Sequence, residues 1–390
     1  MDVVVRKRTE SPAAVVAWTV VATRVPLLAA GVLAVTLVGT IPPPVSEALW
    51  RVSPHEVANM LARWDTFFYN QIAIQGYHWN PAVFTYQNVV FFPLYPLLMR
   101  CGGALLGGHP MIAGFAISLA AFAAGLAMLY KLACLELGDD YGWRVVVLVG
   151  SFPYALFFSA IYTESLFLLL SAGAFYAMRR GRPGWAAISG AAAGLTRPNG
   201  FWLALPLAAL ALWPRRRGDE TGQATRGARP AALLAACAPI VGMLLFSAYL
   251  GVRFHDALAW VHGQAAWGMP LLGRWPAPDP IPIQSDLEVR TVEWIVYAGN
   301  IAAFITAAAA VLPLTRRIGA AYGLWIVLNI VPPLFGHLFE SMGRFVSVLF
   351  PMFFWLAVRI PRDRLWRVAG WCAAGQMLLG VWFFLWRAVI

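Results

Sequence analysis

A few separated stretches of this chain hold the groups able to move a proton or hold an anion. Residues 61–80 read LARWDTFFYNQIAIQGYHWN and set Asp65 among aromatics and amides. Two roles fit Asp65. It can stand at the N-cap of a short interfacial helix over 66–75, with Gly76 past its end. It can also be a general base beside a buried cavity. Glu164, in YTES (162–165), and Arg197, in LTRPNG (195–200), sit within apolar surroundings. Ionisable groups there are costly and mark either a site or a structural ion pair. The planar fork of Arg197 matches phosphate geometry, and Asn199 adds a neutral donor. Residues 254–268, FHDALAWVHGQAAWG, place Asp256, Trp260 and Gln264 on one face at helical spacing. A flat aromatic flanked by amide and carboxylate suits a sugar; an amphipathic interfacial helix is the other reading. His255, His262 and Asp256 lack HxxxH or HxH spacing, which makes a metal site the weakest reading of this stretch. Arg344, in SMGRFVSVLFP, either snorkels to an outer membrane surface or makes a second phosphate contact.

These groups need a scaffold, and composition describes it. Of the 390 residues 60% are hydrophobic and 12% charged, against about 25% charged in soluble domains. The chain reads as an all-α polytopic membrane protein. Its net charge of +11 does not indicate nucleic acid, because the basic clusters abut apolar runs. They lie at residues 6–8, 179–182, 215–229, 316–317 and 359–367. That is the positive-inside pattern of cytoplasmic loops, with anionic membrane lipid as partner. The four cysteines show no ligand spacing and read as small core residues. The apolar run near the start is too long for a cleaved signal peptide. It predicts an uncleaved first span from near Val20, N-terminus inside, with Arg24 snorkelling to the inner face.

Holding the arginine clusters inside predicts spans near 367–388, 345–359, 318–336, 292–315 and 230–251. Residues 1–214 then form an N-terminal module with an outer loop at 42–91. A cytoplasmic loop follows at 215–229, and a C-terminal module at 230–390 carries an outer loop at 252–291. Between Arg182 and Arg215 an even number of passes is required. This predicts two short helices of some 13 residues, about 20 Å each, short of a ~30 Å core. Their apex, 197–200, would sit sunken in the membrane, where irregular backbone must be covered by protein or water. The same logic puts 162–165 outward between spans near 144–160 and 164–179. Met111 to Leu135 is then a full pass, and 91–106 is re-entrant or interfacial; a full span there is the alternative. In total about 11–12 transmembrane helices are expected, with short interfacial or re-entrant helices in the outer loops.

RWDTFFYNQIAIQGY, FFPLYPLL, FFSAIYTESLFLLLS, LTRPNG and SMGRFVSVLFPMFF occur in that order from about Arg63 to Phe354. This series resembles the PIG-V family of mannosyltransferases and their bacterial relatives, within the GT-C glycosyltransferases. The resemblance implies an inverting hexosyltransferase using a polyprenyl-phosphate sugar, with no cofactor or metal. It implies the catalytic carboxylate at Asp65 and donor-phosphate contacts at Arg197, Arg344 and Asn199. Substrate contacts are expected from Arg63, Trp64, Glu164, Asp256, Trp260, His262 and Gln264. Mannose is carried over by resemblance alone. The Ala-, Arg- and Trp-rich composition looks bacterial, which leaves a glycolipid, a cell-wall glycan or a secreted protein as acceptor, met on the outer face of the plasma membrane. Two other readings stand beside this one: a transporter or flippase of a lipid-linked or polar substrate, and an inactive relative serving in assembly.

Overall fold

The computed structural model describes residues 11–39, 53, 55–83, 86–213, 228–267, 287–335, 339–387 and 389. The basic cluster at 6–8, most of the 215–229 loop, and parts of both outer loops lie outside the described residues. Among the described residues every regular element is helical.

The chain opens with α1 (Pro12–Leu37). In the first predicted outer loop lie one turn of helix, α2 (Glu56–Asn59), and then α3 (Thr66–Gln75). Gly76 ends α3 at φ +86°, a conformation glycine adopts without strain. α4 (Leu94–Leu105) turns back through Gly107 and Gly108, both at positive φ, onto α5 (Pro110–Leu137). At 12 residues α4 is about 18 Å long, too short to cross a ~30 Å core. Residues 91–106 are therefore not a full span.

Prolines interrupt the helices between residues 142 and 212. α6 (Gly142–Ser151) stops where Phe152, preceding Pro153, turns to ψ 139°, and a 3₁₀ stretch, Pro153–Phe158, continues. α7 (Glu164–Arg179) then returns. α8 (Pro183–Gly194) ends before Arg197, which is extended at φ −148° and ψ 151° ahead of Pro198. A 3₁₀ turn, Pro198–Leu203, leads into α9 (Ala204–Leu212). The expected pair of short helices, broken at 197–200, is thus present.

The second half comprises α10 (Ala228–Phe254), α11 (Ala259–His262), α12 (Leu287–Ile318) and α13 (Ala320–Ile330). It closes with α14 (Met342–Ser347), α15 (Phe350–Arg359) and α16 (Arg362–Phe384). Four helices among the described residues are long and apolar enough to cross a membrane by length and composition. They are Pro12–Leu37, Pro110–Leu137, Arg229–Phe254 and Glu293–Ile318. Of the other expected spans, 345–359 is two helical pieces in series, α14 and α15, whereas 164–179 and 367–388 fall on the single helices α7 and α16. The apolar helices make this an integral membrane protein.

Two features of the packing bear on the site. α8 and α10 meet backbone to backbone: a Cβ on Gly194 would lie 2.0 Å from the Pro239 carbonyl oxygen, and one on Gly242 2.1 Å from that of Ala191. Small residues permit such close approach between membrane helices. Arg24 does not snorkel. It is 2% exposed and donates to the carbonyls of Ala155 (2.5 Å) and Gly150 (2.8 Å), to Ser159 Oγ (3.1 Å) and to Gln376 Oε1 (3.0 Å). The proline break after α6 frees carbonyls that must find donors when buried, and Arg24 supplies them together with Gln376, whose amide donates to Gly150 and Phe152. This braces the segment leading to residues 159–164.

Candidate active site

The turn into α3 is sewn to the lead-in of α7. Ile161 N donates to the Leu61 carbonyl (3.1 Å), and Thr66 Oγ1 to that of Ile161 (3.2 Å). Tyr162 Oη donates to the Arg63 carbonyl (3.0 Å) and accepts from Asp65 N (3.3 Å). Trp64 sits at φ +51°, an uncommon conformation for a side chain of its size. It stands edge-on to Trp386, ring centroids 6.0 Å apart. Arg63 is fully buried: it donates to the Phe384 carbonyl (2.7 Å), pairs with Glu56 (3.3 Å) and lies 4.4 Å over the Trp386 ring. The structure therefore places Arg63 and Trp64 as anchors of the turn onto the end of α16, rather than as open substrate contacts.

Asp65 holds the N-cap position of α3, but its carboxylate makes no capping bond. It pairs instead with Arg344: Nη1 to Oδ2 is 2.6 Å. Arg344 also bonds Glu164 through Nε, and Arg197 Nη1 reaches the same Glu164 oxygen at 2.6 Å. One carboxylate oxygen thus serves two guanidiniums. The other, Oε2, is buried without a partner. Glu164 is fully buried in the first turn of α7, where the helix dipole favours an anion. Asp65, Arg344, Glu164 and Arg197 form one chain of two anions and two cations, formally neutral.

Arg344 is set by its neighbours. Ser341 enters α14 at φ +57°, and Gly343 N donates to Asn300 Oδ1 (2.8 Å). Gly343 lies against the Tyr154 ring, leaving no room for a Cβ. The Arg344 guanidinium lies 4.5 Å over the Tyr162 ring and 5.4 Å over that of Phe157. Arg197 Nη1 additionally donates to Thr163 Oγ1 (3.4 Å), whose hydroxyl meets Tyr69 Oη (3.3 Å). Tyr162, Thr163, Tyr69, Asn300 and Gly343 were not anticipated as site residues. Tyr162 and Thr163 lie within YTES and Tyr69 within the α3 stretch, whereas nothing local signals Asn300.

Other expected residues lie elsewhere. Asn199 does not face this cluster: its amide donates to Asn329 Oδ1 (2.6 Å), and Asn329 in turn donates to the Trp325 carbonyl (2.7 Å). It ties the break at residues 197–200 to α13. Asp256, Trp260 and Gln264 do not lie on one helical face, because α11 is four residues long and a 3₁₀ turn follows. Asp256 accepts from Leu258 N (3.0 Å) and pairs with His262 Nδ1 (2.8 Å), leaving the imidazole partly exposed. Trp260 Nε1 donates to Ser247 Oγ (2.9 Å) and its ring packs on Phe92. Gln264 is half-buried. This group adjoins the first outer loop through Gly263, which abuts Val89, Val90 and Trp79. Among the described residues no three His, Cys, Asp or Glu side chains converge as a metal site.

Residues 42–208 match the model of the mannosyltransferase (PIG-V) family. That match bears out the resemblance over the four motifs between Arg63 and Gly200, and with the apolar helices it supports a membrane glycosyltransferase. No curated protein matches. Among solved structures the chain is similar to the oligosaccharyltransferase of Archaeoglobus fulgidus with zinc and sulfate, at 13% identity and TM-score 0.45. The alignment covers 93% of this chain and 53% of that one. The apo form gives 13% and 0.42, covering 93% and 55%. The archaeal oligosaccharyltransferase AglB from the same organism, with an inhibitory peptide and a dolichol-phosphate, gives 12% and 0.41, covering 93% and 55%. The chain spans about half the length of these proteins.

Proposed function

We propose, starting from the family match over residues 42–208, that the protein is an inverting membrane glycosyltransferase. It moves mannose from polyprenyl-phosphate mannose to a lipid- or envelope-linked acceptor on the outer face of a bacterial plasma membrane. The observation that carries this reading is the union of Asp65, Arg344, Glu164 and Arg197 from four separate segments. A base and two phosphate-type cations are what the reaction needs in one place.

In the reaction the acceptor oxygen bonds the anomeric carbon as the bond from that carbon to the phosphate oxygen breaks. The electron pair leaves with the phosphate. Asp65 takes the acceptor's hydroxyl proton, a contribution of about 10²–10⁴-fold. Arg344 and Arg197 stabilise the charge on the departing phosphate, the role in which fixed donors matter most. Trp260, His262 and Gln264, near the first outer loop, are the proposed acceptor-side contacts.

The test is Asp65→Asn, which keeps shape and removes the base. In a folded protein, transfer of sugar from polyprenyl-phosphate mannose should fall by at least ~10². Near-normal turnover would sink the mechanism. Intact donor moved across the membrane, with no sugar transferred by the native protein, would instead favour the transporter reading.

A further inference from the structure

We infer that the Asp65–Arg344 bridge is the donor-free state of the phosphate site: the entering phosphate takes Arg344 from Asp65, which releases the Asp65 carboxylate to turn toward the acceptor. This rests on the function proposed above and deepens it, since it fixes an order of events, donor before acceptor.

The four side chains are not held alike. Glu164 is 0% exposed and takes both guanidiniums on one oxygen, so it is the fixed counterion. Asp65 is the most exposed of the four, at 16%. Its carboxylate makes no cap bond to the backbone of α3 and is held by Arg344. The backbone of Asp65 is pinned by Tyr162, which leaves rotation of its side chain as the motion that releases it. Arg344 cannot easily follow. The Gly343–Asn300 bond, the contact of Gly343 with Tyr154 and the ring of Tyr162 hold it where it is. The partner changes and the guanidinium stays.

Charge gives the same answer. Two arginines against two carboxylates leave nothing to attract an anion. When Asp65 turns away, Arg344 and Arg197 are left with Glu164 alone, an excess of one positive charge. Until then Arg344 holds the Asp65 carboxylate through Oδ2 and fixes its orientation. No covalent step is involved in the exchange; one hydrogen-bonded ion pair is replaced by another.

The experiment measures binding of a polyisoprenyl phosphate without sugar to the full chain in lipid nanodiscs, for the wild type, Asp65→Asn, Arg344→Ala and the double variant. Asp65→Asn removes the competitor for Arg344 and should bind at least about tenfold tighter. That gain should vanish in the Arg344→Ala background. Thermal melts establish that each variant is folded, and Asp65→Ser, whose side chain suits a helix start, replaces Asn if that variant fails to fold. Unchanged or weaker binding by the Asp65 variant, or a gain that persists without Arg344, overturns the exchange while leaving the phosphate site standing. Binding by none of the folded proteins overturns both the exchange and the donor assignment. Tighter, Arg344-dependent binding together with undiminished sugar transfer supports the exchange and removes Asp65 as the base.

Discussion

Adding a single methyl group at Gly343 should silence the site with little damage to the fold. A Cβ there would lie 2.2 Å from two carbons of the Tyr154 ring and 2.5 Å from a third. Carbon atoms rest comfortably at about 3.5–4.0 Å, so either the ring or α14 must give way by roughly 1.3 Å. The ring is hemmed in. Tyr154 is 2% exposed, its hydroxyl donates to the Val296 carbonyl (3.3 Å), and the same oxygen lies 2.8 Å from where a Cβ on Gly299 would be. Most of the displacement must then fall on α14, whose next residue is Arg344. Misplacing a positioned group by about 1 Å can cost ~10²-fold in rate, whereas overpacking costs about 1–3 kcal/mol of stability. The assay is sugar transfer from polyprenyl-phosphate mannose in membranes supplying the acceptor, read beside a thermal melt. Gly370→Ala in α16, with open space around its Cβ, is the control and should keep full activity. If Gly343→Ala retains kcat/KM within about threefold of the wild type, then the seat of α14 does not set Arg344, and the guanidinium is positioned by something else.

Two other substitutions probe the buried polar contacts. Arg24→Ala should cost about 1–3 kcal/mol, because it removes the Arg24 donor from the buried Ala155 carbonyl, while Gln376 still reaches the Gly150 carbonyl; a thermal or denaturant melt within about 0.5 kcal/mol of wild type contradicts the bracing role. Asn199→Ala should lower stability by about 1–3 kcal/mol through the unsatisfied Asn329 oxygen and leave the donor KM unchanged. A raised KM with unchanged stability would return Asn199 to the phosphate.

The sequence exposed most of what is local. Gly76 and the polar start at Asp65 bounded α3 at both ends, and Pro198 and Gly200 marked the break between α8 and α9. Parity of the arginine clusters found the short helix pair without any view of its partners. Hidden were the pairings between distant segments. Arg344 and Glu164 are 180 residues apart, and no periodicity links them, so phosphate contact and snorkelling were equally good readings of Arg344. Arg24 was misread for a related reason: the carbonyls that claim it are released by a break in another helix. The 254–268 stretch has helical spacing, but the chain leaves the α-helix after His262, and spacing alone carries no information on length.

The unequal spacing of Glu164's two partners has a consequence for how the protein is made. Arg197 lies 33 residues away, within the same half of the chain, and emerges from the ribosome soon after Glu164. A carboxylate entering the membrane is costly, and this pairing gives it a cation before the second half exists. Arg344 comes much later, so Asp65 waits without its partner while α10 to α13 are threaded in. Assembly of the charge chain is thereby a late event of biogenesis, dependent on the placement of α14. A chain cut before residue 341 should still insert its first half yet accumulate without activity, which makes catalytic competence a marker of completed insertion.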